Sequence, residues 1–402
     1  MFIPVRRLRA AAWAAALAAV WLLLQFALEP LAQRSVPVWV PPDPGPALAY
    51  IDGHEQGPPG GPLRAAAAVL VEANTGTILY AHNEHERRPM ASTTKIMTAL
   101  VALENAALAD RVTVSAQAVR VTGSDAGLRP GQQLTMLELL YALMLPSGND
   151  AANVIAEHVA GSQEAFADLM TRRAHELGAT RTRFANAHGL DDPNHYSTAH
   201  DLALLSVTAM RFPTFRQVVR TPSFQAQSIG LSWQNTNRLL WGFEGIEGIK
   251  TGTTSLAGYC LVAAASRDGM QLISVVLGST DRWSDSTRLL EYGFDEFQLI
   301  TVASHGQVIA EVQPPGALGK LTAVVDGDFR VVVRRADVND VRVQVSLDPL
   351  RAPIRAGQVV GALHITLSDG RVLRTAPLVA AEDVPRWTLH GALWRWLQQV
   401  WR

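Results

Sequence analysis

The chain has 402 residues, 48% of them hydrophobic, with 30 Gly and 22 Pro, which is too long for one ordinary domain and too apolar to stay disordered. Lys plus Arg is 35 against 36 for Asp plus Glu, a formal net charge of -1 that argues against a general nucleic-acid binder, which needs a basic face. One cysteine, Cys260, excludes an intrachain disulfide framework and any Cys-based zinc site.

At the start of the chain Arg6, Arg7 and Arg9 precede an apolar run from Ala10 to Leu28 that only Gln25 interrupts. Residues 1–34 therefore read as a secretory signal peptide or as a retained N-terminal membrane anchor, with the basic side in the cytoplasm. Residues 35–62 hold Pro37, Pro41, Pro42, Pro44, Pro46, Pro58, Pro59 and Pro62 with no apolar period, the composition of an extended linker.

Residues 63–299 mix strands and helices. Val69-Leu70-Val71 and Ile78-Leu79-Tyr80 flank Asn74-Thr75-Gly76, which predicts a hairpin. Helices are expected over Thr93–Glu104, Thr135–Leu145 with a Thr135/Glu138 capping box, Ala151–Ala160 and Gln163–Leu177. A second hairpin, Tyr259–Ser266 with Met270–Leu277, turns at Asp268-Gly269. The pattern is α+β: an antiparallel sheet made by the two ends of the domain, with a helical insertion between them. Residues 300–383 change to short strands, among them Val341–Leu347, whose alternation predicts a half-buried strand, and they read as a small all-β domain of spacer or docking type. Residues 384–402 place Leu389, Leu393, Trp396, Leu397, Val400 and Trp401 on one helical face, so an amphipathic helix lying on a membrane surface is expected.

The chemistry concentrates in three short segments. In Ala91-Ser92-Thr93-Thr94-Lys95, Ser92 stands where a helix begins and Lys95 follows one turn later on the same face. The helix is apolar almost all round, so Lys95 is expected to be buried, and burial favours the neutral amine that can take a proton from serine. Ser147-Gly148-Asn149 follows an apolar helix ended by Pro146 and should sit on a loop edge. Lys250-Thr251-Gly252 should lie on a strand lining a cleft, where a lysine and a hydroxyl bind a carboxylate and Gly252 lets a substrate backbone approach. His82, His85, His188, His195 and His200 lack the spacing of a zinc hydrolase, so no metal and no cofactor is expected. Asp191 to Asp201 reads as a hydrogen-bonded loop with Asp201 opening a helix, and Cys260 as a buried small hydrophobe.

In this order the three segments resemble the active-site serine penicillin-binding proteins, specifically the low-molecular-mass D-alanyl-D-alanine carboxypeptidases. Gly123-Ser124, Leu128-Arg129-Pro130-Gly131, Leu145–Ala152, His188-Gly189-Leu190 and Gly248–Gly252 extend the likeness across residues 63–383. The resemblance implies a β-lactamase/transpeptidase-like domain followed by the β domain, with Ser92 as acylated nucleophile, Lys95 as general base and Ser147 as proton relay. It implies that Asn149 orients the substrate amide, that Lys250 and Thr251 bind the terminal carboxylate, and that the N–H groups of Ser92 and Thr253 form an oxyanion hole. Arg282 is implied as a further carboxylate partner. The implied partners are a peptidoglycan stem peptide, β-lactams as covalent inhibitors, and the outer face of the bacterial cytoplasmic membrane. Three rival readings are a class A-like β-lactamase, a DD-endopeptidase and a non-catalytic peptidoglycan-binding scaffold. The Glu-x-x-Leu-Asn loop of the first is missing: Glu157, Glu164 and Glu176 do not carry it.

Overall fold

The structure is a computed structural model and describes residues 46–389. The first domain is built on strands β1 (Ala49–Tyr50), β2 (Ala67–Glu72) and β3 (Thr77–His82), a 3-10 turn (Ala91–Thr94), α1 (Lys95–Asn105), β4 (Arg111–Thr113) and β5 (Gln133–Thr135). Helices α2 (Met136–Met144), α3 (Asn149–Ala160), α4 (Gln163–Glu176), α5 (Ala199–Met210) and α6 (Pro213–Val219) follow. The chain then returns through β6 (Ser223–Ala226), β7 (Leu231–Gln234), β8 (Ile246–Thr254), β9 (Gly258–Arg267), β10 (Met270–Ser279) and α7 (Arg282–Glu296).

The two ends of this domain make one six-stranded sheet in the order β1-β3-β2-β10-β9-β8, antiparallel except where β1 runs parallel to β3. Its central strands are covered on both faces, which is why β2 reads Ala-Ala-Val-Leu-Val-Glu without alternating. Val69, Val71, Val262 and Ile273 face the helical insertion, where α1, α2, α3 and α5 bury Leu100, Leu139, Ile155 and Leu205. Leu70, Leu261 and Leu272 face the other way, onto Leu289, Leu290 and Phe294 of α7. The expected capping box starts α2: Thr135 Oγ1 accepts from Glu138 N, and Thr135 N donates to Glu138 Oε2 at 2.8 Å.

Residues 46–62 differ from the extended linker expected of them. Tyr50 Oη donates to Glu84, Tyr292 Oη donates to the Gln56 carbonyl, and Arg288 holds the carbonyls of Pro59 and Gly61. The prolines set an extended backbone, but its carbonyls find donors on the domain, so the segment lies as a strap along it.

The second domain comprises β11 (Phe297–Ala303), β12 (Val308–Val312), β13 (Leu321–Val325), β14 (Phe329–Arg334), β15 (Val341–Leu347), β16 (Val359–Leu367) and β17 (Val372–Ala380). A β11-β14 pair and a five-stranded sheet ordered β12-β13-β17-β16-β15 enclose an apolar core of Leu321, Val331, Leu363, Ile365 and Leu378. The first domain is thus α+β and the second all-β, as the sequence predicts. Strand β15 forms where expected, but its half-burial does not: Val343 and Val345 are 54% and 46% exposed. It is the edge strand of the five-stranded sheet, and these two valines face solvent. Residues 1–34, the first part of the expected linker and residues 390–402 of the expected amphipathic helix lie outside the described residues. Among the described residues no helix is long and apolar enough to cross a membrane.

Candidate active site

Ser92 and Lys95 meet where the 3-10 turn feeds α1. Lys95 is fully buried, and its Nζ has three neighbours: Asn149 Oδ1 at 2.7 Å, the His188 carbonyl at 2.7 Å and Ser92 Oγ at 3.0 Å. The Asn149 amide is oriented by its own Nδ2, which donates to the Thr122 carbonyl at 2.7 Å, so Oδ1 must face the lysine. Two of the three neighbours can therefore only accept. A neutral amine has two N–H donors and one lone pair; the donors go to Asn149 and His188, and the lone pair is left for the Ser92 hydroxyl. Burial, reinforced by the Lys250 charge and opposed by Asp150, holds the Lys95 pKa well below that of an ordinary lysine. Burial thus favours the neutral amine, and in that state the two acceptors leave its lone pair for Ser92.

Ser147 ends the loop before α3 in a left-handed conformation, φ +68°, which is uncommon outside glycine and costs backbone energy. Its hydroxyl is buried and has no protein partner. The neighbouring Asp150 is buried too, and its carboxylate accepts from the backbone N–H groups of Ala126 and Leu128 and from its neighbour Ala151. That fixes loop 122–128 against the start of α3 and, with it, the Thr122 carbonyl that orients Asn149.

The third wall is β8, at the edge of the sheet. Lys250 and Thr251 are buried on it, with Lys250 Nζ donating to the Thr251 carbonyl at 3.2 Å. Burial and the nearby Arg282 cation bring the Lys250 pKa down to about 7. Thr251 Oγ1 lies 2.6 Å from Thr236 Oγ1. A Cβ on Gly252 would sit 3.0 Å from Ser92 N and from the Met90 carbonyl, so glycine lets the strand run close to the Ser92 turn without displacing it. Arg282, the first residue of α7, reaches across the end of β8: its Nη1 donates to the Gly252 carbonyl at 2.8 Å and to Thr253 Oγ1 at 2.9 Å. Its guanidinium packs on Tyr259 and Trp283, and its Nε is buried without a partner.

The structure thus joins Ser92, Lys95 and Asn149 by direct bonds, brings Gly252 against the Ser92 backbone, and joins Gly252, Thr253 and Arg282 to one another. Ser147, Lys250 and Thr251 line the same region without bonding to that first group. Sequence reasoning did not supply the His188 carbonyl, Thr122, Asp150 or Thr236, which act through backbone groups or partners far along the chain. One available signal is that the chain holds three lysines, Lys95, Lys250 and Lys320, every other cationic side chain being arginine. Two of the three are buried here. His195 is also buried, bonded to Thr94 and Ala185, and among the described residues no group of His, Cys, Asp or Glu is placed to hold a metal ion. Cys260 lies buried in β9 as expected, its thiol pKa pushed up to about 11 by burial.

Residues 54–281 match the D-alanyl-D-alanine carboxypeptidase family, and residues 297–386 match the penicillin-binding protein 5 C-terminal domain. The chain is 33% identical to D-alanyl-D-alanine carboxypeptidase DacF of Bacillus subtilis over 336 residues, 80% of this chain and 86% of that one. It is 34% identical to D-alanyl-D-alanine carboxypeptidase DacA of Escherichia coli K12 over 357 residues, 83% and 87% of the two chains. Among solved structures, penicillin-binding protein 5 from Haemophilus influenzae superposes with a TM-score of 0.75 at 31% identity, covering 81% of this chain and 99% of that one.

Proposed function

The chain belongs to the D-alanyl-D-alanine carboxypeptidase family and is a serine-type D-Ala-D-Ala carboxypeptidase, and from that premise we propose how its residues divide the work. Ser92 Oγ attacks the carbonyl carbon of the D-Ala-D-Ala bond while its proton passes to the lone pair of Lys95 Nζ. The carbonyl oxygen takes negative charge between the N–H groups of Ser92 and Thr253. When the C–N bond breaks, the proton on Lys95 reaches the departing D-Ala amine through the unpartnered Ser147 hydroxyl. An acyl ester on Ser92 remains, and Lys95 activates the water that hydrolyses it. Lys250 as ammonium, Thr251 and Arg282 hold the substrate's terminal carboxylate, Asn149 holds the substrate amide, and Gly252 leaves room for its backbone. A β-lactam acylates Ser92 by the same route. The observation that carries this division is the pair of obligate acceptors on Lys95, which aim its lone pair at Ser92.

The same reading places the enzyme outside the bacterial cytoplasmic membrane, acting on peptidoglycan stem peptides. Its β domain would be a spacer, with residues 1–34 and 384–402 as tethers; the three arginines before the apolar N-terminal run and the tryptophan-rich C-terminus support this. The family match and the named relatives favour the carboxypeptidase over the lactamase, endopeptidase and scaffold readings.

The test is intact mass with and without benzylpenicillin, for the parent and for Ser92→Ala, alongside D-Ala release from a Lys-D-Ala-D-Ala peptide. We expect one penicilloyl adduct and D-Ala release in the parent and neither in the variant. Penicillin turnover without D-Ala release would overturn the assignment.

A further inference from the structure

His195 is the loop residue that the mechanism above leaves unused, yet it is buried and both of its ring nitrogens are engaged. Nδ1 accepts from the Ala185 backbone N–H at 3.0 Å, and that group can only donate, so Nδ1 carries no proton. The single proton of the neutral ring is therefore on Nε2, which lies 2.7 Å from Thr94 Oγ1. Thr94 Oγ1 in turn donates to the Ala91 carbonyl at 2.8 Å, an acceptor only. Every direction in this chain of bonds is thus fixed: His195 donates to Thr94, and Thr94 donates to Ala91. Burial keeps the ring neutral, as the direction of the bonds requires.

The Ala91 carbonyl belongs to the peptide plane whose other end is the Ser92 N–H. In a trans peptide these two groups point in opposite directions, so a bond that holds one fixes the other. Ala91 also sits at φ +48°, a conformation that an alanine adopts only when its surroundings hold it there. Gly189 closes on the same place: any side chain there would collide with the Ala91 carbonyl. Two further bonds staple this loop to the nucleophile's helix, from Thr98 Oγ1 to the Ala187 carbonyl at 2.6 Å and from Lys95 Nζ to that of His188.

We propose that Thr94 and His195 are positioning residues that lock the Ala91–Ser92 peptide plane, so that the Ser92 N–H faces the developing oxyanion. The proposal rests on Ser92 being the nucleophile and deepens that reading. A plane free to rock would leave substrate binding intact and weaken stabilisation of the transition state, so the loss should fall on kcat and on acylation, not on KM.

The test uses Thr94→Val, Thr94→Ser and His195→Phe in the full chain. Prolonged incubation with benzylpenicillin counts the competent sites in each preparation, and the second-order acylation rate and the kcat and KM for D-Ala release are then measured per site. We expect Thr94→Val and His195→Phe to lose about 10²-fold in acylation rate and in kcat, with KM held within about twofold. Thr94→Ser, which keeps the hydroxyl, should stay within about threefold of the parent. Parental acylation by Thr94→Val, or a rise in KM in place of a fall in kcat, would overturn the proposal. Adduct formation on Ser92→Ala, run beside them, would instead overturn the nucleophile assignment and the proposal with it.

Discussion

Between the six-stranded sheet and its helical insertion, the first domain buries Lys95, Lys250, Asn149, Asp150, His188 and His195. In the β domain, Thr366 is the buried polar side chain among the described residues. Both interiors face the same physics, since a polar group taken out of water costs free energy unless it is hydrogen-bonded. The β domain minimises that cost by using Val, Leu and Ile. The first domain accepts it and satisfies its groups one by one: three N–H donors on Asp150, two ring contacts on His195, three neighbours on Lys95. The cleft keeps a buried amine and an unpartnered Ser147 hydroxyl, whereas the core of the β domain is packed almost entirely with apolar side chains.

Substitutions in the two interiors should therefore separate activity from stability. The largest effect is expected at the base. Lys95→Met should lower acylation and D-Ala release by about 10²–10⁴-fold, as loss of a general base does. Thermal stability should fall by about 1–3 kcal/mol, because Asn149 Oδ1 and the His188 carbonyl lose their buried donor, so activity is compared per folded site. A melting curve beside the kinetics checks both halves.

The pH profile comes next. Burial and Arg282 set Lys250 at about 7, so in the free enzyme its charge is present below that pH and is lost as pH rises through it. If Lys250 binds the substrate carboxylate as proposed, that cation then disappears, and kcat/KM should fall above about pH 7. A bound carboxylate stabilises the ammonium, so the corresponding limb of kcat should lie at higher pH. Lys250→Arg, which stays charged throughout, should remove the alkaline fall from kcat/KM.

In the β domain the outcome inverts. Leu363→Ala should cost about 2–5 kcal/mol of that domain's stability by opening a cavity. The acylation rate per folded site should stay unchanged, which denaturant melts and penicillin titration would show. The smallest effect is expected where the domains touch at the surface. Arg371 Nη1 lies 2.8 Å from Asp52 of the strap, and both side chains are substantially exposed. Arg371→Ala should change stability by about 0–1 kcal/mol, less still at high salt, with kcat unaffected.

How much of this was legible in the sequence follows the same division. Ser92 with Lys95, Ser147 with Asn149 and Lys250 with Gly252 are each local, and a helix or strand converts such spacing directly into geometry. The capping box and both hairpins are local as well. The contacts that complete the site are not: Lys95 meets the His188 carbonyl and Thr94 meets His195 across 93 and 101 residues. A backbone carbonyl leaves no mark in the side-chain sequence. Helix α7 went unread although Asp281 caps it, because its polar face masks Leu289, Leu290 and Phe294, whose partners lie on β2 and β10. Residues 46–62 have the composition of a free linker, and partners elsewhere in the chain, among them β3 and, more than two hundred positions away, the Arg288 and Tyr292 side chains, turn them into a strap. For β15 the alternation was real, but alternation reports which face a side chain takes, not whether anything covers that face.

The central claim is that Lys95 is neutral in the resting enzyme, with its lone pair on Ser92. With three lysines in the chain, the side-chain amines can be followed individually by nitrogen NMR on lysine-labelled protein, with Lys95→Met and Lys250→Arg identifying the signals. The account predicts that Lys95 carries two protons, as an amine, at pH 8, far below the pH at which a free lysine, with its pKa of about 10.4, deprotonates. An ammonium signal for Lys95 at pH 8, in protein that acylates normally, would contradict it.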